Sequence, residues 1–254
     1  MSIQKIINKF RKDLKKKKPL VGGWMQISNS NLVELMCSSP YEWIAFDMEH
    51  GSFSIRDLPD LFRATELKNK LSLVRLPNKN LEVCSQVLDA GCPGIIIPNI
   101  KHESELNSII RSCKYPPIGT RGVGYSRANL FGKKFKKYQK QKNNIIIIAI
   151  IENTSSVKRL EKILSVKGLD AILIGPYDLS ASMGITGKFK NKKFQSIVNK
   201  IKGTANKSKI PCGIHVIEPK RSELKKCIKQ GYKFIPYCTD AILLNSALEK
   251  SFKK

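Results

Sequence analysis

Short apolar runs alternate along the chain with longer stretches whose apolar residues recur at three- and four-residue intervals. The runs at 20–25, 43–46, 71–75, 94–98, 145–151, 170–174, 211–216 and 233–237 are nearly continuous in Val, Ile, Leu and aromatics. That is the pattern of strands covered on both faces rather than half-exposed ones. Between them lie helical spacings such as Leu81, Cys84, Leu88; Leu106, Ile109, Ile110, Cys113; and Leu224, Cys227, Ile228. Several of these stretches end on a glycine, as at Gly91, Gly168 and Gly231, which suits a left-handed C-terminal cap. Ahead of the first strand, Ile3, Ile6, Ile7, Phe10 and Leu14 share one helical face, with Ser2 available as a cap. A helix of that kind can lie on a membrane surface or close the bottom of a domain.

Eight strands, each followed by a helix, predict a (β/α)8 TIM barrel. A doubly wound open sheet is the other architecture with this rhythm, but no GxGxxG follows any strand. The chain therefore reads as a single domain over 1–254, with a basic N-terminal helix at 1–19 and the barrel at 20–248. One connection, from Asn99 to Asn144, is long and carries YPPIGTRGVGYSRANLFG. Its glycines and arginines suggest backbone close to an anionic ligand, or a subunit contact.

Composition changes this picture in two places. Lys and Arg number 46 against 20 Asp and Glu, a net charge of +26, which would draw anionic substrates toward the protein. The lysines are scattered, with local clusters at 15–18, 133–142 and 250–254, and aromatics do not alternate with them as they do on a base-stacking surface. Nucleic acid is therefore not the expected partner, although a basic barrel binding a polyanion is kept as an alternative. The seven cysteines form no CxxC pair and no metal-ligand spacing. They read as reduced core thiols of a cytoplasmic protein. No apolar run is long enough to span a membrane.

The chemistry is expected where strands end, because a barrel collects its reactive groups at the C-terminal edge of the sheet. The run Trp43–Phe46 stops in Asp47, Glu49 and His50, and His50 is one of only three histidines. An imidazole beside carboxylates is suited to act as a general base; a satisfied polar strand end is the plainer reading. Arg75 closes the third strand and Glu152 follows the fifth. Asp178 and Ser180 follow the sixth, in IGPYDLSASMG. Two separated carboxylates suit a hard divalent cation with water and substrate completing its shell. Taken singly, Asp178 could be a helix cap and Arg75 a structural ion-pair partner. No lysine is placed for a Schiff base.

The segments GGWMQISNSNLVELM, WIAFDMEHGSFS, LVRLP, VLDAGCPGIIIPNI, YPPIGTRGVGYSRA, IIEN, GLDAILIGPYDLSASMGITG and TDAILL, in that order, resemble the HpcH/HpaI family of class II, metal-dependent pyruvate aldolases. The resemblance implies a barrel of the phosphoenolpyruvate/pyruvate-binding type with an exchanged C-terminal helix, assembled as a dimer-based hexamer. It implies cleavage of a 4-hydroxy-2-oxo acid to pyruvate and an aldehyde, with a related CoA-ester lyase or oxaloacetate decarboxylase as the alternative. His50 would match the base, Asp47 a residue tuning it, Arg75 the group steadying the enolate, and Asp89 an acid raising the basicity of the histidine. Glu152 and Asp178 would match the ligands of Mg2+ or Mn2+, with Co2+ a third possibility. Gly175, Pro176 and Tyr177 would line the keto-acid seat. Two departures stand out: Ile150 replaces a glutamine found in many members, and Tyr177 replaces a small residue.

Overall fold

The computed structural model describes residues 2–16, 18–140 and 143–252; the lysines at 17, 142, 253 and 254, counted above in the basic clusters, lie outside them. In chain order the elements are α1 (Ile3–Leu14), β1 (Leu20–Met25), α2 (Ser30–Cys37), β2 (Trp43–Asp47), α3 (Leu58–Leu67), β3 (Leu71–Arg75), α4 (Leu81–Asp89), β4 (Gly94–Ile97) and α5 (Glu103–Cys113). A 3-10 turn at Arg127–Asn129 and the short α6 (Phe135–Gln139) interrupt the long connection. Then come β5 (Ile146–Ile151), α7 (Thr154–Lys158), α8 (Leu160–Leu164), β6 (Ala171–Ile174), α9 (Pro176–Ser182), α10 (Lys192–Lys207), β7 (Cys212–Ile214), α11 (Arg221–Lys229), β8 (Phe234–Thr239) and α12 (Asp240–Phe252). The eight strands pair in parallel in sequence order, and β8 returns to β1, so the sheet closes.

Closure sorts the strand residues by parity. Trp43, Ala45, Leu71, Leu73, Ile96, Ile146, Ile148, Ile150, Ala171, Leu173 and Phe234 fill the barrel interior, whereas their neighbours pack outward against the helices. Trp43 stacks on Phe234 with ring centroids 4.2 Å apart. Space there is made by Gly22, where a Cβ would lie 2.0 Å from the Trp43 ring. The strands are buried on both faces, which is why their sequences run apolar without alternation.

The N-terminal helix is the bottom plug anticipated from its pattern. Ile6, Ile7, Phe10 and Leu14 are buried against the interior cluster, and Phe10 meets Phe234 edge-on at 6.2 Å. Each such burial is worth roughly 1.5–3 kcal/mol before entropy is counted. Arg11 fixes the helix: it donates to Asp170 at 2.6 Å, to the Ile145 carbonyl at 2.7 Å, and to Asn144. Ser2 precedes the helix without a side-chain cap bond. No helix of the described residues is long and apolar enough to cross a membrane.

Two arginines of the long connection turn inward. Arg121 is buried, pairs with Asp89 and sits 4.6 Å over the Tyr115 ring; Arg127 pairs with Glu66 and donates to the Ala90 carbonyl. Neither is free to meet an anion. The same segment instead exposes Ile118, Val123, Tyr125 and Phe131. All seven cysteines are free thiols and buried.

Candidate active site

Strand alternation delivers the chemistry. Interior Ala45 is followed two residues on by Asp47, Leu73 by Arg75, Ile150 by Glu152 and Gly213 by His215, so each lands on the inward face just above the packed interior. Asp47 and Arg75 are also register partners across β2 and β3. Together with Trp24, Gln26, His50, Tyr177 and Asp178 they line a cavity of about 410 Å3 at the C-terminal mouth of the barrel.

Asp47 is the mechanical centre of this mouth. One carboxylate oxygen accepts from the backbone N–H of Glu49 at 3.0 Å and of His50 at 3.1 Å; the other accepts from Trp24 Nε1 at 2.9 Å and Arg75 at 3.3 Å. Its hold on His50 therefore runs through the backbone turn rather than the imidazole. The Asp47 carbonyl also accepts from the Gly51 N–H at 2.9 Å, which tightens the turn.

Arg75 is shared among carboxylates. It pairs with Asp47 and Glu49, and its terminal nitrogen stands 3.8 Å from Glu152 Oε2. Glu152 is buried, and its Oε1 accepts from the Asn99 N–H. Burial pushes the Glu152 carboxyl up to about 7, and the nearby charges of Asp178 and Glu49 add to the effect against the pull of Arg75. Burial likewise raises Glu49. A chain of net charge +26 thus surrounds one guanidinium with three carboxylates, Asp47, Glu49 and Glu152, and sets a fourth, Asp178, within electrostatic reach of Glu152.

Asp178 occupies the third position of α9, behind Pro176, and the helix shows no side-chain cap bond. The cap reading of Asp178 falls away, and the carboxylate is exposed at the mouth. Gly175 leaves room beside Glu152: a Cβ there would lie 2.9 Å from Glu152 Oε2. Pro176 and Tyr177 form the rim, and the Tyr177 ring meets Phe189 edge-on at 4.9 Å. Ile150 presents an apolar wall to the cavity next to Glu152.

Asp89 is not brought here. It ends α4, the helix that runs away from the mouth after β3, and pairs with Arg121. Within one chain the effect on His50 expected of it has no contact to act through.

Among the mouth residues not singled out from the sequence, Trp24 and His215 bear on the geometry. Trp24 holds Asp47, and His215, just past β7, borders the cavity with its ring 4.8 Å from Trp24 and tilted 44°. Burial and the neighbouring Arg75 charge drive the His215 imidazole down to about 3, so it is neutral. The parity that marks Asp47, Arg75 and Glu152 also marks His215, and would have found it.

No group of three or more His, Cys, Asp or Glu among the described residues converges as a ready metal cage. The buried Glu152 and the exposed Asp178, two carboxylates within electrostatic reach of one another, fit a divalent cation, which commonly takes one or two carboxylates and keeps its waters. No lysine lines the cavity among the described residues.

The sequence model of the HpcH/HpaI aldolase/citrate lyase family matches residues 20–247. The chain belongs to this family. Among relatives of the HpcH/HpaI family, it is 29% identical to the hydroxypyruvate/pyruvate aldolase of Roseobacter denitrificans, over 94% of each protein. It is also 29% identical to the 5-keto-4-deoxy-D-glucarate aldolase of Citrobacter koseri, over 97% of each. Its fold superposes with TM-score 0.91 on an HpcH/HpaI aldolase/citrate lyase family protein from Burkholderia cenocepacia, 25% identical and matched over 96% of this chain and 97% of that one.

Proposed function

We propose that the protein is a metal-dependent aldolase that joins pyruvate to an aldehyde, or splits the resulting 4-hydroxy-2-oxo acid. The observation that carries this reading is the acidic mouth, with His50 at its edge and Arg75 at its centre, in a chain otherwise rich in positive charge. His50 takes the proton of the substrate 4-hydroxyl, its position set by the hold of Asp47 on the backbone turn. The C3–C4 bond then breaks, its electrons pass into the pyruvate half as an enolate, and the aldehyde leaves. Arg75 faces the negative charge that develops there. Return of a proton to C3 gives pyruvate. Glu152 and Asp178 would hold Mg2+ or Mn2+, with Co2+ a third candidate, which when bound supplies Lewis-acid polarisation of the 2-oxo group. Gly175, Pro176 and Tyr177 wall the keto-acid seat, and the phenol of Tyr177 narrows it.

The outward residues of α12, Leu244, Leu248 and Phe252, are exposed. With the apolar tip of the long connection they support a homo-oligomer in which α12 packs on a neighbour, a dimer-based hexamer in our reading. The seven buried free thiols fit a reducing compartment, the cytoplasm. The barrel, its plugging helix included, is read as one domain.

The test is pyruvate release from a panel of 4-hydroxy-2-oxo acids with Mg2+, Mn2+ and Co2+, alongside oxaloacetate and citramalyl-CoA. The expected result is cation-dependent aldol cleavage that EDTA abolishes, with no adduct trapped by borohydride in the presence of pyruvate. A borohydride-trapped pyruvate adduct, or full turnover in EDTA, overturns the mechanism. Turnover of oxaloacetate or the CoA ester alone transfers the site to the alternative reaction.

A further inference from the structure

We infer that His215 reads the aldehyde half of the substrate, hydrogen-bonding a hydroxyl on the carbon chain beyond the bond that breaks. The inference rests on the aldolase reading and adds to it a residue that tells one aldehyde from another.

The mouth is not a closed cup. A second, larger cavity of about 740 Å3 opens beside it between α10 and α11, and both cavities are lined by Pro176, Tyr177, His215 and Ile217. Arg75, Glu152 and Asp178 claim the pyruvate half. The remainder of the substrate has to lead away from them, and the shared wall is where the mouth continues. His215 stands in that wall.

Its polar chemistry is unspent. Nε2 of His215 is shut off from bulk water and has no hydrogen-bond partner, a state that folded proteins rarely leave uncompensated. His215 as a whole is only half-buried and lines both cavities, so a ligand group seated there lies beside it. The ring plane is steadied by Trp24 at 4.8 Å, and Trp24 is itself held by Asp47 at 2.9 Å. Half-buried and lying near Arg75, the ring is neutral. A neutral imidazole offers one donor and one acceptor, which matches a hydroxyl; it has no positive charge with which to favour a carboxylate. The rest of the wall, Pro176 and Ile217, offers no side-chain hydrogen bond. Tyr177 is turned edge-on to Phe189 at the rim.

The experiment compares aldol addition of pyruvate to glyceraldehyde and to propanal, which lacks its hydroxyls, in the wild-type protein, His215→Leu and His215→Gln. Measuring each variant as a ratio of kcat/KM cancels the different reactivities of the two aldehydes. His215→Leu is expected to lower the glyceraldehyde-to-propanal ratio by about tenfold or more, mainly through KM for glyceraldehyde. His215→Gln, which keeps a donor and an acceptor, is expected to restore part of it. An unmoved ratio overturns the assignment, and so does an equal fall for both aldehydes, which marks a purely structural role. Exchange of the pyruvate methyl protons with deuterated water by the wild-type protein, followed by NMR with Mn2+ replaced by Mg2+, separates the two levels. Its absence overturns the aldolase reading itself; its presence with an unmoved ratio overturns only the role of His215.

Discussion

Glu152→Gln in the metal-free protein isolates what it costs to bury a carboxylate in an already acidic mouth. The residue is 5% exposed, so its environment is protein rather than solvent. Displacement of its pKa from 4.5 to about 7, at about 1.4 kcal/mol per pH unit, corresponds to about 3 kcal/mol. The folded protein holds this proton to higher pH than the unfolded chain does. Its stability therefore falls as pH rises from about 4.5 to about 7, and the penalty is complete above that. Glutamine has nearly the same shape, can still accept from the Asn99 N–H, and never ionises. In EDTA, the variant is expected to be more stable than wild type by about 3 kcal/mol at pH 8, roughly 6–12 °C in melting temperature for a chain of this size. The two should converge below about pH 4. Melting curves at a series of pH values measure the difference directly, and taking a difference removes the titration of every other group. Added Mn2+ should reverse the order at pH 8, raising wild type and leaving the variant little changed. A stability difference flat from pH 5 to pH 8, or a wild type that is the more stable protein at pH 8 in EDTA, would refute the argument.

His50→Ala should lower aldol cleavage by about 10²- to 10⁴-fold, the usual loss for a missing general base, as measured by coupled pyruvate release; near-normal rates remove His50 from that role. Asp178→Ala should weaken Mn2+ binding in a titration of the cation, while sparing the melting temperature in EDTA because the carboxylate is exposed. Gly22→Ala should cost about 3 kcal/mol or more, since its Cβ falls 2.0 Å from the Trp43 ring, and a denaturant midpoint equal to wild type would contradict the packing described. Arg11→Met should cost roughly 1–3 kcal/mol by stranding Asp170 and the Ile145 carbonyl beneath the barrel, read from the same midpoints.

Much of the fold was legible because the physics is local. A parallel strand covered on both faces must be apolar throughout, so β2, β3 and β5 announce themselves within a residue of their observed ends. Gly91 and Gly231 close helices at φ +101° and +85°, as their positions suggested. The site was legible in its parts, since Asp47, Arg75 and Glu152 stand where a barrel places reactive groups. Pairing was not legible. Nothing in the spacing shows that Asp47 spends both oxygens on backbone, indole and guanidinium, or that Asp89 and Arg121 satisfy each other far from the mouth. The partners of the arginines in the long connection were not legible either: Arg121 and Arg127 are taken up by carboxylates of α4 and α3. His215 was overlooked because its strand was read as a run of hydrophobics ending at Val216, although its parity places it with the other three.

The burial of all seven cysteines makes the chain its own stopwatch. Cys227, which borders the larger cavity, is the residue that a bulky alkylating reagent meets first. At the other six, labelling proceeds only as fast as segments of the molecule swing open, and mass spectrometry of those positions would record which part of the wall parts first.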